Sequence, residues 1–160
     1  MPVKTRKSLL KTVVIVALVA LCGSVSIANA GNLGDGSYYL FLSNTYGNLA
    51  HMYGEYGLYY ESYDYLYYAY TNLNNAATYA SYACLYCYYG YSNLGSTNAY
   101  YAYLYAYYNY LYASNAATYT YYCYSHLDYS GDAISNTYQA QYYNSLAAYY
   151  AGLASYNGTY

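Results

Sequence analysis

The chain is predicted to be all-α, with about six helices paired into three hairpins and stacked as a short α-solenoid. Three observations predict this. Beyond residue 30 there is no Val, Ile134 is the sole β-branched aliphatic residue, and the strong helix formers Ala and Leu are abundant. Large and small side chains recur at i, i+3, i+4 and i+7, the spacing that brings residues onto one helix face. One arrangement also returns along the chain. Tyr46-x2-Leu49-Ala50-x2-Tyr53-x3-Gly57 is followed by Tyr79-x2-Tyr82-Ala83-x2-Tyr86-x3-Gly90 and by Tyr119-x2-Tyr122-Cys123-x2-His126-x3-Ser130, with Gly131 next. The second and third copies share the approach Asn-Ala-Ala-Thr, at 75–78 and 115–118.

The elements follow in order. Residues 31–36 form a Gly-containing lead, suited to a flexible or donated arm. The first helix, 37–54, places Tyr39, Leu42, Tyr46, Leu49 and Tyr53 on one face. Ala50 admits a neighbouring helix and Gly57 is placed to turn the chain. The second helix, 58–73, carries Ser62, Leu66 and Ala69 at small–large–small spacing, and Asn72 to Asn75 read as a turn. The third helix covers 76–89, with a connection over 90–95. The fourth, 97–113, repeats the spacing as Ala99, Tyr103 and Ala106. Ser114-Asn115 reads as a turn, and the fifth helix spans 116–128. Asp132 is placed to cap the sixth, 133–151. Tyr also favours strands, so a Tyr-rich, charge-poor chain without Pro beyond residue 2 has a cross-β alternative. Strict alternation is confined to short pieces such as 63–65 and 103–105.

Lys4, Arg6, Lys7 and Lys11 precede an apolar run over 12–22, and Ala28-Asn29-Ala30 is a small-x-small cleavage pattern. Residues 1–30 therefore read as a secretory signal peptide, and 31–160 as one mature domain. Lipid attachment at Cys22 is opposed by the large Leu21, and an uncleaved anchor by the Ala-x-Ala ending. All four basic residues lie in the leader. Residues 31–160 keep Asp35, Glu55, Glu61, Asp64, Asp128 and Asp132, a formal charge of 0 − 6 = −6 with neutral His. Nucleic acid and anionic membrane are poor partners for such a surface. All 38 Tyr follow the leader. With so few charges, much aromatic surface must face outward, and surface of that kind marks interaction sites.

The spacing at 46–57, followed by Ser62, Leu66 and Ala69, resembles the tetratricopeptide repeat, W-x2-L-G-x2-Y then A-x3-F then P. Tyr46 stands for the Trp, Ala50 for the Gly, Ser62 for the Ala, Leu66 for the Phe and Asn74 for the Pro. Over about residues 37–155 the chain is similar to secreted, tyrosine-rich tetratricopeptide-like proteins that polymerise into microbial extracellular fibres. That resemblance implies subunits stacked through aromatic residues, with surface glycosylation.

Cys84-x2-Cys87 and Cys123-x2-His126 form the sharpest constellation of reactive side chains. If the first helices of successive repeats lie side by side, Cys84 or Cys87 can bridge Cys123 in an exported protein. The same four residues have zinc-ligand types and spacing. Buried thiols, or a bridge between subunits, are the remaining readings. Tyr88 after Cys87 excludes a haem-attachment motif. His51 reads as a helix-face histidine, and Glu61 with Asp64 as solvated acids near a helix N-terminus. No phosphate loop, nucleophile elbow or triad is present, so no enzyme and no cofactor are read here. Asn157-Gly158-Thr159 is a candidate glycosylation site.

The leading expectation is the structural subunit of a secreted filament, a homopolymer growing head to tail. Its interface candidates are Tyr38, Tyr39, Tyr46 and Tyr53 on the first hairpin and Tyr138, Tyr142 and Tyr149 on the last. The alternative is a monomeric periplasmic or surface adaptor that holds a peptide or glycan in an aromatic groove. A third reading, charge relay along stacked Tyr, is limited by proton acceptors: six carboxylates and two His are the only side-chain acceptors of that kind.

Overall fold

The structure, a computed structural model, describes residues 31–129 and 131–157, with the backbone alone for Asn157. The expected leader, Ser130 and the Gly158-Thr159 part of the glycosylation pattern lie outside the described residues. Within them the protein is all-α, as predicted, with no strand. It has four long helices instead of six: α1 (Gly31–Tyr59), α2 (Tyr63–Leu94), α3 (Thr97–His126) and α4 (Asp132–Asn157).

Two expected turns are helix. At 72–75, in mid-α2, Asn72 Nδ2 donates to the Tyr68 carbonyl (2.7 Å) and Asn74 Nδ2 to the Tyr70 carbonyl (3.2 Å). At 114–115, in mid-α3, the Ser114 carbonyl accepts from Thr118 Oγ1 (3.0 Å). Asn and Ser weaken a helix by less than about 1 kcal/mol each, whereas Gly or Pro is needed to stop one reliably. Leu73 and Ala76 are buried beside the first site, and Ala113, Ala116 and Ala117 beside the second. A break at either place would take these residues from the core.

The buried residues explain how the helices assemble. In α1 they include Leu33, Gly36, Leu40, Ser43, Gly47, Ala50, Gly54 and Gly57. In α2 they are Leu66, Ala69, Leu73, Ala76, Ala80, Ala83, Cys87 and Gly90. α3 buries Ala99, Ala102, Ala106, Asn109, Ala113, Ala116 and Thr120. α4 buries Ala133, Thr137, Ala140, Asn144, Ala147, Ala151 and Ala154. Each series alternates steps of three and four residues. This is the heptad period of a coiled coil, in which a narrow seam of a and d positions faces the partners. The seam is built almost wholly of small side chains, which lets the helix axes approach toward the short end of the usual ~8–10 Å.

α1 packs on α2, α2 on α3, α3 on α4, and α4 returns to α1. With connections of two to five residues, neighbours run antiparallel, giving an up-down-up-down four-helix bundle. This corrects the expected three-hairpin solenoid. First and last helices meet within one molecule, so no pair of open solenoid end faces is left for stacking.

Buried polar groups mark the middle of the seam. Asn109 Nδ2 donates to Ser43 Oγ across the bundle (3.3 Å), and Asn144 Nδ2 donates to the Leu40 carbonyl of α1 (2.8 Å). A buried Asn at a seam position disfavours alternative registers, because any slip leaves it unpaired.

The turns close both bundle ends. Glu61, at φ 49°, takes the left-handed position after α1, and Ser62 N–H reaches the Gly57 carbonyl at 2.9 Å. Gly95 (φ 61°) ends α2, and Ser96 caps α3 by accepting from the Ala99 N–H at 3.2 Å. Leu127 (φ 52°) ends α3. Gly57 and Gly90, read as turn residues, are instead seam positions. A Cβ on Gly57 would lie 2.5 Å from Leu66 Cδ2, and one on Gly90 2.5 Å from Leu33 Cγ.

Candidate functional site

Tyrosine is almost absent from the core. Tyr129, in the α3–α4 connection, is the one fully buried ring among the described residues. It lies flat against α1, touching the backbone where Gly54 has no side chain. Burial pushes its hydroxyl up to about 12. The Thr137 hydroxyl offsets a little of this, but donates its own proton to the Ala133 carbonyl at 2.8 Å. Among the described residues no group meets the Tyr129 hydroxyl with hydrogen-bond geometry.

The other rings flank the seam, and the heptad explains where they fall. The face read as core in the first helix, Tyr39, Leu42, Tyr46, Leu49 and Tyr53, is offset by one residue from the buried set Leu40, Ser43, Gly47, Ala50 and Gly54. The period was legible but the phase was not, because the residues inside are smaller than those beside them. Tyr39, Tyr46 and Tyr53 fill the α1–α2 groove instead. Tyr39 stacks near Tyr86 at 5.3 Å between centroids, Tyr46 on Tyr79 at 5.3 Å, and Tyr53 near Tyr65 at 6.2 Å. Partial burial and the neighbouring Tyr86 phenol raise the Tyr39 hydroxyl. Tyr105, Tyr143 and Tyr150 make a similar row along α3–α4. Tyr67, Tyr70 and Tyr124 line α2–α3.

The α1–α4 groove carries polar contacts as well: Gln141 Nε2 donates to Asn48 Oδ1 at 2.8 Å, and the Tyr138 hydroxyl meets His51 Nε2 at 3.1 Å.

The interface candidates therefore divide. Tyr39, Tyr46 and Tyr53 are engaged within the bundle, while Tyr38, Tyr138, Tyr142 and Tyr149 are exposed. Further exposed rings, not singled out from sequence, include Tyr59, Tyr60, Tyr121 and Tyr122. Each stands one to three places after a small seam residue, Gly57 or Thr120.

Helix direction decides the fate of the cysteines. Cys84 and Cys87 belong to the core cluster that includes Leu33 and Ala99, whereas Cys123 packs with Leu66, Tyr129 and Ala133. α2 and α3 are antiparallel, so these clusters lie near opposite bundle ends, roughly 25–30 Å apart at 1.5 Å per residue. A disulfide needs Cα atoms within about 7 Å. The expected bridge relied on parallel neighbouring helices, and this fold does not bring the residues together. His126 stands exposed at the end of α3, with Nδ1 near Ser125 Oγ and the Tyr122 carbonyl. Among the described residues, no three His, Cys, Asp or Glu gather as a metal site. Burial pushes the Cys84 thiol up to about 11 and the Cys87 thiol up to about 12, suppressing the thiolate needed for ligation or attack.

Among the described residues, charge is confined to the bundle ends. Glu55, Glu61, Asp64, Asp128 and Asp132 share the end where α1 meets α2 and α3 meets α4, and Asp35 stands toward the other. The long sides thus carry phenols, Asn, Ser, Thr and Gln without a charged side chain between these end groups. A shallow groove of about 340 Å³ on the α2–α3 side is lined by Tyr70, Asn74, Ala77, Ser114, Thr118 and Tyr121, among others. No helix among the described residues is long and apolar enough to cross a membrane. Comparison of the chain with protein-family models, with curated proteins and with solved structures finds no match.

Proposed function

We propose that this chain is the structural subunit of a secreted extracellular filament, a homopolymer held together by outward tyrosines. The observation that carries the reading is the division of labour in the bundle. Ala, Gly and Leu close the core, so the exposed rings are not needed to bury it. Uncharged helix flanks bearing rings such as Tyr142 (58% exposed) and Tyr149 (60%) have the chemistry of protein interfaces, which favour Tyr and disfavour charge. Because α1 and α4 pack together, subunits would join through helix flanks or bundle ends, not solenoid faces. The leader pattern supports export, and Asn157 remains the candidate glycan site, a polar layer being useful on so apolar a surface.

Sedimentation velocity and electron microscopy of the exported protein test the reading. Filaments of one diameter are expected, with bundle subunits still helical by circular dichroism. A monomer at all concentrations would overturn it. The adaptor reading is supported by the α2–α3 groove, whose ring and hydroxyl lining suits a sugar or peptide. It predicts that monomer, together with saturable binding of an oligosaccharide that Tyr121→Ala weakens.

A further inference from the structure

We infer that Tyr138 is an oxidation site: a surface phenol whose loss of an electron is coupled to proton transfer to His51. The reading concerns a single subunit and does not depend on polymerisation. Phenols are hard to oxidise unless their proton leaves with the electron, so a tyrosine with a base at hydrogen-bond distance is set apart from its neighbours. The Tyr138 hydroxyl lies 3.1 Å from His51 Nε2, and the two rings are 5.0 Å apart. Glu55, one turn along α1, places Oε1 3.3 Å from the same nitrogen. Once Nε2 carries the proton, the Glu55 carboxylate stands within ion-pair distance of the new N–H. Tyr129, the other titratable ring against His51, lies 6.2 Å away by centroid and holds its own proton tightly. Nε2 accepts the Tyr138 proton in the tautomer that carries the ring hydrogen on Nδ1, which is buried and, among the described residues, without a hydrogen-bond partner.

The same helix supplies the control. Tyr138, Tyr142 and Tyr149 are 53%, 58% and 60% exposed, and the rings of the last two pack beside Tyr143 and Tyr150, not beside a base. Exposure alone would make the three equivalent.

The chemistry balances with a one-electron oxidant of the ruthenium(III) polypyridyl or peroxidase class. The oxidant gains one electron from the phenol. The Tyr138 O–H bond breaks, an N–H bond forms at His51 Nε2, and a neutral phenoxyl remains. Two phenoxyls on two copies of the chain then join through their ortho carbons. The two ortho hydrogens move to the oxygens, restoring both phenols and leaving a dityrosine bridge.

The full chain is treated with photogenerated tris(bipyridine)ruthenium(III) at low conversion, and modified tyrosines are mapped by peptide mass spectrometry. Tyr138 should react about tenfold faster than Tyr142 and Tyr149, a modest share of what a positioned base contributes. It should dominate the dityrosine peptides, and its rate, unlike theirs, should fall in D2O. His51→Gln retains a hydrogen-bond acceptor but no base, and should bring Tyr138 down to the rate of the other two while helix content holds. Equal rates in the unsubstituted protein, or an unchanged Tyr138 rate in His51→Gln, would overturn the inference. Should that variant fail to fold, the rate order and the D2O effect in the unsubstituted protein decide.

Discussion

Individual residues in this bundle matter mostly by being small. Gly54 and Gly152 are both helical glycines, yet they differ in what surrounds them. A Cβ at Gly54 would enter the Tyr129 ring, while at Gly152 it would meet open space. Gly54→Ala should therefore destabilise the fold by about 1–3 kcal/mol through overpacking, and Gly152→Ala should stabilise it by about 0.5–1 kcal/mol through helix propensity. Urea midpoints of the two variants check this, and shifts of the same sign would refute the packing account. Tyr129 adds a pH dependence. An unfolded tyrosine ionises near the ordinary value of 10.0, whereas the folded one holds its proton to about 12. The unfolded state thus binds fewer protons over that interval. The contribution is intact below about pH 10 and is lost as pH rises toward 12, roughly 2–3 kcal/mol in all. Tyr129→Phe should flatten that part of the stability profile. It should leave neutral-pH stability unchanged or higher by about 1 kcal/mol, since a buried unpaired hydroxyl is removed. A marked loss at neutral pH would mean that the hydroxyl has a partner in solution.

The helices were legible as helices, but not where they end. Asn72 to Asn75 and Ser114-Asn115 have turn composition, yet the Asn72 and Asn74 side chains bond back to carbonyls of the same helix, the Ser114 carbonyl accepts from the Thr118 hydroxyl, and their neighbours fill the seam. Real ends need a left-handed residue. Gly95 supplies it by type, but Glu61 and Leu127 take it at φ 49° and 52° despite their side chains. An L-residue in that region costs about 1–2 kcal/mol, and Gly gives back up to about 1 kcal/mol in chain entropy. Glu61 is exposed, so Glu61→Gly should raise stability by roughly 0.5–1 kcal/mol, read as a higher thermal midpoint with unchanged helix content. A lower midpoint would indicate that the Glu61 side chain holds the turn. Leu127 also packs on the Tyr129 cluster, which makes the same change there less clean.

At the scale of the whole molecule, the proposed filament gives the two classes of tyrosine different roles, one in stability and one in association. Tyr46 is stacked within the α1–α2 groove, whereas Tyr142 and Tyr149 point outward from α4. Tyr46→Ala should lower the unfolding free energy by more than about 1 kcal/mol, because a packed ring is lost from between two helices. Tyr142→Ala with Tyr149→Ala should change it by less than about 0.5 kcal/mol each, while shortening polymers at equal protein concentration. Polymer length and denaturation midpoint, measured on the same samples, give the test. A response that follows only the number of rings removed, wherever they lie, would point to unspecific adhesion.

Helix was determined by the sequence alone, because Ala and Leu are abundant, Val is absent beyond residue 30 and the three-and-four spacing repeats. Pairs such as Leu66 with Ala69, and Ala99 with Ala106, were core positions as read, since a small residue at helical spacing marks close approach whatever the partner. That much aromatic surface must face outward was likewise foreseeable, there being too few charges to cover the molecule. Tertiary structure decided the phase, the topology and the pairings. Tyrosine outranks glycine and alanine as a hydrophobic signal, so the tyrosine stripe was read as the inside. Only the mutual approach of four helices shows that the adjacent stripe of small residues closes the core. Only the antiparallel order keeps Cys87 from Cys123, and only the return of α4 to α1 brings Tyr138 to His51. Spacing along a chain fixes which residues share a face. Which face meets which depends on contacts between residues far apart in sequence, and these form together or not at all.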